Sequence, residues 1–367
     1  MTKRCVMLLT ILVVLCLAQQ TWAAFGKKII YHSEFGSGYT LPALMVAAMR
    51  QPDFIGLPLV LSRDNIPVVY PDLLLQTHTN VVDIFPGRHR ADGNYYVIDF
   101  SLQELRRLSY LEDAGQFDFQ GGHIASLEEV FVTTGMIALE FSASTRFLPV
   151  IKYPWFHANE AKDISQVVLN ALIAHAGSAD DILSCMCFDP DELQRIRKKI
   201  LPGLPVTIRL IQAIDHSEGN ETMRQSRQQW SSYNDQWLFT RLGLRVVASY
   251  ADALWLDGMN RLETQALKRF ITDSQALELE VYFRVPRSFD DNFAAAVRDL
   301  VVTLNADGLA VANTMKLRDI FHTWTQQSDL LPETAPDGEA DGRQQDNPSG
   351  ALLSDPEGLL ERLRRIQ

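Results

Sequence analysis

Residues 28–72 restrict the fold of this chain more than any other stretch. Residues 28–31 are an apolar run that ends at His32, and residues 41–49 are apolar at helical spacing. A second apolar run covers residues 54–61, and a third, residues 68–70, ends at Pro71-Asp72. Short unbroken apolar runs fit strands buried on both faces, and their succession with a helix points to the start of a parallel α/β sheet. In barrels of that kind the chemistry collects on residues that follow the strands. Here those residues carry little chemistry.

The alternation continues downstream. Strands are expected at residues 146–152, 182–188, 206–212, 253–256, 279–283 and 308–312, with helical patterns at 163–174, 190–199, 244–250 and 290–304 and a further helix through Lys268. Ser101 followed by Glu104 reads as a capping box that opens a short helix, and another helix is expected to begin near Ser126. A polar insertion, about residues 73–125, interrupts the series, and a long loop carries Trp230, Tyr233 and Trp237. Sustained alternation predicts a parallel sheet with helical crossovers, either closed or doubly wound.

The two ends have a different character. Lys3 and Arg4 precede an apolar core over residues 6–18, and Thr21-Trp22-Ala23 places small residues where a signal peptidase reads. Residues 1–23 are therefore expected to be an export signal, giving a periplasmic or secreted protein with no stable membrane span after cleavage. Residues 24–328 would form the folded domain. Residues 329–350, rich in Pro, Gly, Asp and Glu without apolar period, read as a disordered acidic linker. Residues 351–367 read as a short amphipathic helix, with Leu359, Leu360, Leu363 and Ile366 on one face. The net charge of -11 argues against a general nucleic-acid partner. Cys185 and Cys187 share one face of a strand, too close along the chain for a relaxed bridge, and read as buried thiols.

Several phrases together resemble the periplasmic glycerophosphodiester phosphodiesterases. They are the strand ending at His32, Tyr39-Thr40-Leu41-Pro42-Ala43, FPGRHRADGNYYVIDFSLQEL, Ile151-Lys152-Tyr153-Pro154-Trp155-Phe156-His157, CFDPDELQRIRKKI, Asn220-Glu221-Thr222 and YNDQWLF. The resemblance implies a TIM (β/α)8 barrel of the PLC-like phosphodiesterase type, with a segment inserted after the third strand. It also implies hydrolysis of glycerophosphodiesters to glycerol 3-phosphate and an alcohol. In that family a divalent ion, usually calcium, is held by carboxylates, and two histidines work beside it.

The family's chemistry does not carry over residue by residue. His32 matches the first histidine, but Ser33 stands where an arginine follows it. Gly56 and Pro58 occupy the Glu-x-Asp positions, Pro71 stands at the second histidine beside a retained Asp72, and Val150 replaces the glutamate two residues before Lys152. Gly, Pro and Val present no side-chain oxygen, so no metal site and no cofactor are expected. The reading that follows is an exported barrel that has lost metal-dependent hydrolysis and binds a phosphate-containing ligand or an envelope protein. Lys152 and His32 are its anion-binding candidates, with His32 a vestigial catalytic group. Plainer roles stand beside these: Lys152 as a structural residue and His32 as a packed histidine. One alternative is an active phosphoric diester hydrolase with a site rearranged around Glu34, Asp64, Asp72 and His78. Another is an envelope interaction protein using Trp155, Phe156, Trp230, Tyr233 and Trp237.

Overall fold

The computed structural model describes residues 26–33, 36–111, 122–141, 146–175, 183–214, 221–226, 229–257, 264–286 and 292–328. The expected export signal, acidic linker and C-terminal helix lie outside the described residues.

Eight parallel strands form the barrel: β1 (Lys28–Tyr31), β2 (Phe54–Leu61), β4 (Arg146–Ile151), β5 (Leu183–Cys187), β6 (Ile208–Ile214), β9 (Ala253–Leu256), β10 (Glu280–Arg284) and β11 (Gly308–Val311). β1 pairs with both β11 and β2, which closes the sheet. The closed one of the two expected arrangements is therefore the one adopted. A further strand, β3 (Pro67–Val69), pairs antiparallel with β2 and makes a hairpin outside the ring of staves. The outer helices are α1 (Leu41–Met49), α4 (Leu127–Phe141), α6 (Ile164–Ala174), α7 (Pro190–Arg195), α8 (Arg241–Ala248), α9 (Thr264–Gln275), α10 (Phe293–Arg298) and α11 (Thr314–Ser328). Short helices α2 (Val81–Ile84) and α3 (Leu102–Leu105) lie in the insertion, and α5 (Pro154–Asn159) follows β4.

Both faces of the staves are buried, which is why they read as unbroken apolar runs. Ile55, Leu57, Leu59, Cys185, Leu210, Leu254 and Phe283 face the helices, whereas Ile30, Leu148, Val150, Met186, Trp255 and Tyr282 fill the lumen. Cys185 and Cys187 are free and buried on the helix side. The start of the barrel is fastened by a repeated device. Asp53, Asp252 and Asp307 each precede a strand, and their carboxylates accept Ile29 N (2.7 Å), Leu210 N (2.7 Å) and Val281 N (2.8 Å) of the neighbouring strand. These bonds satisfy strand-end N–H groups that have no ladder partner.

The insertion has a core of its own. Tyr70, Leu75, Val81, Val97, Phe100, Leu105 and Ile124 cluster with Phe156 of α5. Ser101 and Glu104 form the expected capping box at α3, and Arg88 grips the Glu104 carboxylate, which holds that group down at about 2. Arg90 donates to both Asp99 oxygens at 2.7 Å and to Glu160 at 2.7 Å. Glu160 ends α5, so Arg90 ties the insertion to the loop that leaves β4. The described part of the insertion is thus packed on the barrel.

Four features differ from the sequence expectations. The long loop after β6 contains a hairpin, β7 (Met223–Ser226) with β8 (Gln229–Ser232). Its polar sequence has no apolar alternation, so no strand signal was available. The helices expected at 190–199 and 290–304 end as α7 and α10 and continue as wider turns, Ile196–Ile200 and Asp299–Thr303. Helix α11 was not foreseen, although Leu317, Ile320, Phe321 and Trp324 stand at helical spacing and pack on the barrel core.

Candidate functional site

The strands end in a mouth whose first member is His32. Its ring lies 5.5 Å from that of Trp255 and 6.3 Å from that of Tyr39. Nδ1 of His32 is buried and has no hydrogen-bond partner among the described residues, and the same holds for Nε1 of the fully buried Trp255. Burial, reinforced by the Arg284 and Lys152 charges, pulls the imidazole down to about 3, so it is neutral at physiological pH. Ser33 is buried, and a Cβ at Gly38 would meet its Oγ at 2.0 Å. The residue in the arginine position is thus tucked against the chain and does not reach across the mouth.

The positions singled out by the resemblance come together. Pro58 is in register with Val150, and Val150 with Met186 of the next stave. Gly56 stands beside the end of β1: a Cβ there would lie 3.2 Å from Tyr31 O and 3.7 Å from His32 Cδ2. Tyr70 N donates to Pro58 O at 2.9 Å, which sets Pro71 next to Pro58. Gly56, Pro58, Pro71 and Val150 therefore line one side of the strand ends near His32. A larger side chain at Gly56 would press on the β1 backbone. Among the described residues no group of three His, Cys, Asp or Glu is placed to hold a metal ion. Hard divalent cations take six or more oxygen ligands, and this donor set does not fit one.

Lys152 follows β4, and its backbone N is fixed to Leu59 O at 3.1 Å. Its ammonium donates to the Glu221 carboxylate and lies 5.1 Å from the ring centroids of both Tyr153 and Phe188. Tyr153 takes a left-handed conformation (φ 47°, ψ 52°) before Pro154, an uncommon backbone state for a bulky residue that turns the chain sharply at the mouth. Glu221 is held there by the hairpin that follows it. Arg224 of β7 donates to both oxygens of Asp189, at 2.8 and 2.7 Å, and stacks 4.3 Å from the Tyr233 ring. Asp189 in turn caps α7 through Asp191 N at 2.9 Å.

Sequence reasoning missed the other side of the mouth. Arg284 ends β10 on the lumen face, and its Nε donates to Asp257, which follows β9, at 2.6 Å. A signal existed, because each is a charged residue terminating an apolar run. Other sequence candidates serve local structure. Asp64 accepts Ser62 Oγ (2.6 Å) and Leu102 N (3.0 Å), and Asp72 accepts Leu73 N (2.6 Å). The His78 ring packs on Tyr70 at 5.9 Å, and Glu34 lies outside the described residues. Of the aromatics, Phe156 is buried, Trp155 packs on the insertion core, and Trp237 Nε1 donates to Tyr233 Oη at 2.8 Å.

A closed parallel barrel with polar groups gathered at its strand ends is a TIM-type scaffold. The family model for the glycerophosphoryl diester phosphodiesterase family matches residues 35–312. A glycerophosphodiester phosphodiesterase of Treponema pallidum is 30% identical over 264 residues, which cover 65% of this chain and 73% of the relative. One from Haemophilus influenzae is 30% identical over 263 residues, covering 65% and 72%. The chain belongs to the glycerophosphoryl diester phosphodiesterase family. Its fold is shared with an Oleispira antarctica phosphodiesterase solved with sn-glycerol-3-phosphate (TM-score 0.54, 17% identity, 82% of this chain and 99% of that one). It is also shared with a Parabacteroides distasonis glycerophosphoryl diester phosphodiesterase (TM-score 0.50, 11% identity, covering 84% and 89%).

Proposed function

We propose that this chain uses the phosphodiesterase barrel to bind a phosphate-containing ligand, without metal-dependent hydrolysis. One observation carries the reading. Gly56, Pro58 and Val150, side by side at the strand ends, present no oxygen where the family's carboxylates are expected, while the cationic Lys152 remains beside them. A neutral His32 lacking both an arginine neighbour in sequence and the family's second histidine has no assigned proton-passing partner among the described residues. Lys152 keeps the capacity to meet an anion by direct charge. Residues 1–23 support export to the periplasm or beyond, which would place the site in contact with glycerophosphodiesters released from membranes.

Purified protein incubated with glycerophosphocholine and calcium is expected to release no glycerol 3-phosphate above the no-enzyme control. A raised melting temperature with glycerol 3-phosphate, lost in Lys152→Ala, is the expected binding signature. Calcium-stimulated turnover abolished by His32→Ala would overturn the reading.

A further inference from the structure

The loss of carboxylates from one side of the mouth is accompanied by a cation on the other. β1 is flanked by β2 and β11, with β4 beyond the first and β10 beyond the second. Lys152 at the end of β4 and Arg284 at the end of β10 therefore stand two staves to either side of His32. With strands about 4.8 Å apart, each backbone is roughly 10 Å from that of His32 along the sheet. Arg284 shares its strand face with the lumen residue Tyr282, and Lys152 follows β4 on the face of the lumen residue Val150. Below them lie two buried nitrogens with no partner, His32 Nδ1 and Trp255 Nε1. An indole N–H can only donate, and leaving it buried without an acceptor costs about 1–3 kcal/mol unless something fills the role.

We propose that Arg284 and Lys152 bracket a metal-independent phosphate site centred over His32 and Trp255. In this site Arg284 supplies charge that a divalent ion would otherwise bring, and Trp255 Nε1–H donates to a ligand oxygen. The proposal deepens the binding function above and rests on it. Glu221 and Asp257 are the resident counter-ions. Each accepts from one of the two cations when the site holds no anion, and an arriving phosphate competes with them. A planar guanidinium suits this exchange, because it can turn a paired N–H edge from carboxylate to phosphate.

Competition fixes the signs of the tests. Binding of sn-glycerol 3-phosphate and of inorganic phosphate to the full chain is measured by calorimetry in the presence of a chelator. Arg284→Gln is expected to weaken both at least tenfold, and Trp255→Phe, which removes the N–H and keeps a ring, several-fold. Asp257→Asn is expected to strengthen both several-fold, because it removes a rival anion and leaves the arginine in place. A purely structural Arg284–Asp257 pair would weaken binding in both variants, so weaker or unchanged binding in Asp257→Asn overturns the proposal. Binding that needs Lys152 but ignores Arg284 and Asp257 overturns this assignment while the binding function stands. Absence of chelator-resistant binding in the unaltered chain overturns both. The tighter of the two probes identifies the source of the phosphate as ester or free ion.

Discussion

Two histidines, His157 buried whole and His32 half-buried with its Nδ1 enclosed, make the stability of the barrel sensitive to acid. Burial holds His157, with Lys162 adding to the effect, and His32 at about 3, against an ordinary value of 6.5. Both ring nitrogens of His157 are buried without a partner, so protonation gains no acceptor in the fold. The depressed values make the folded state bind fewer protons than the unfolded chain. The stability they contribute is present above pH 6.5 and is lost as pH falls toward 3. Melting temperature is therefore expected to drop steadily across that window, and His157→Gln to flatten the slope; an unchanged slope contradicts the assignment. The cysteines run the other way. Burial raises the Cys185 thiol from 9.0 to about 12, and Cys187 upward with it. Thiolate is thus scarce in the fold, and a disulfide reagent at pH 8 is expected to label neither residue until the protein is unfolded. Rapid labelling of native protein would show that the strand is not buried as described. At Gly56 an added side chain would meet the Tyr31 carbonyl, so Gly56→Glu is expected to cost about 1–3 kcal/mol by denaturant titration. Both thiols and the Gly56 position were legible in the sequence. The Arg284–Asp257 pair was not recognised, because two strand-end charges 27 residues apart become partners only once the staves are ordered.

At the scale of elements, the legible parts were those with strong apolar period. The eight staves were read to within a few residues because burial on both faces leaves an unbroken apolar run. The β7–β8 hairpin escaped because it is held by pairing and by Arg224, not by an apolar face. That hairpin nevertheless positions Glu221 over Lys152, so a polar element without sequence signal shapes the mouth. The insertion is the opposite case: its capping box was visible in the sequence, but its attachment through Arg90 was not. Ser101→Ala is expected to cost about 1 kcal/mol. Arg90→Ala is expected to raise amide exchange in residues 73–105 while leaving β9 to β11 protected. Equal loss of protection throughout would mean that insertion and barrel open as one unit.

For the molecule as a whole, the proposed reading separates scaffold from chemistry. The closed barrel, the family match and the strand-end mouth preserve a phosphodiesterase frame, and fold alone does not dictate what that frame does. Pro58 and Val150 are in register and Tyr70 N bonds Pro58 O beside Pro71, although residues 54 to 150 include a long insertion that sequence spacing could not bridge. On this account the mouth has changed from holding a cation to receiving an anion. The most direct test is release of glycerol 3-phosphate from glycerophosphocholine, followed over a calcium titration with purified protein. The account predicts a flat response at the level of the no-enzyme control at every calcium concentration. A calcium-dependent rise that disappears in His32→Ala would contradict it.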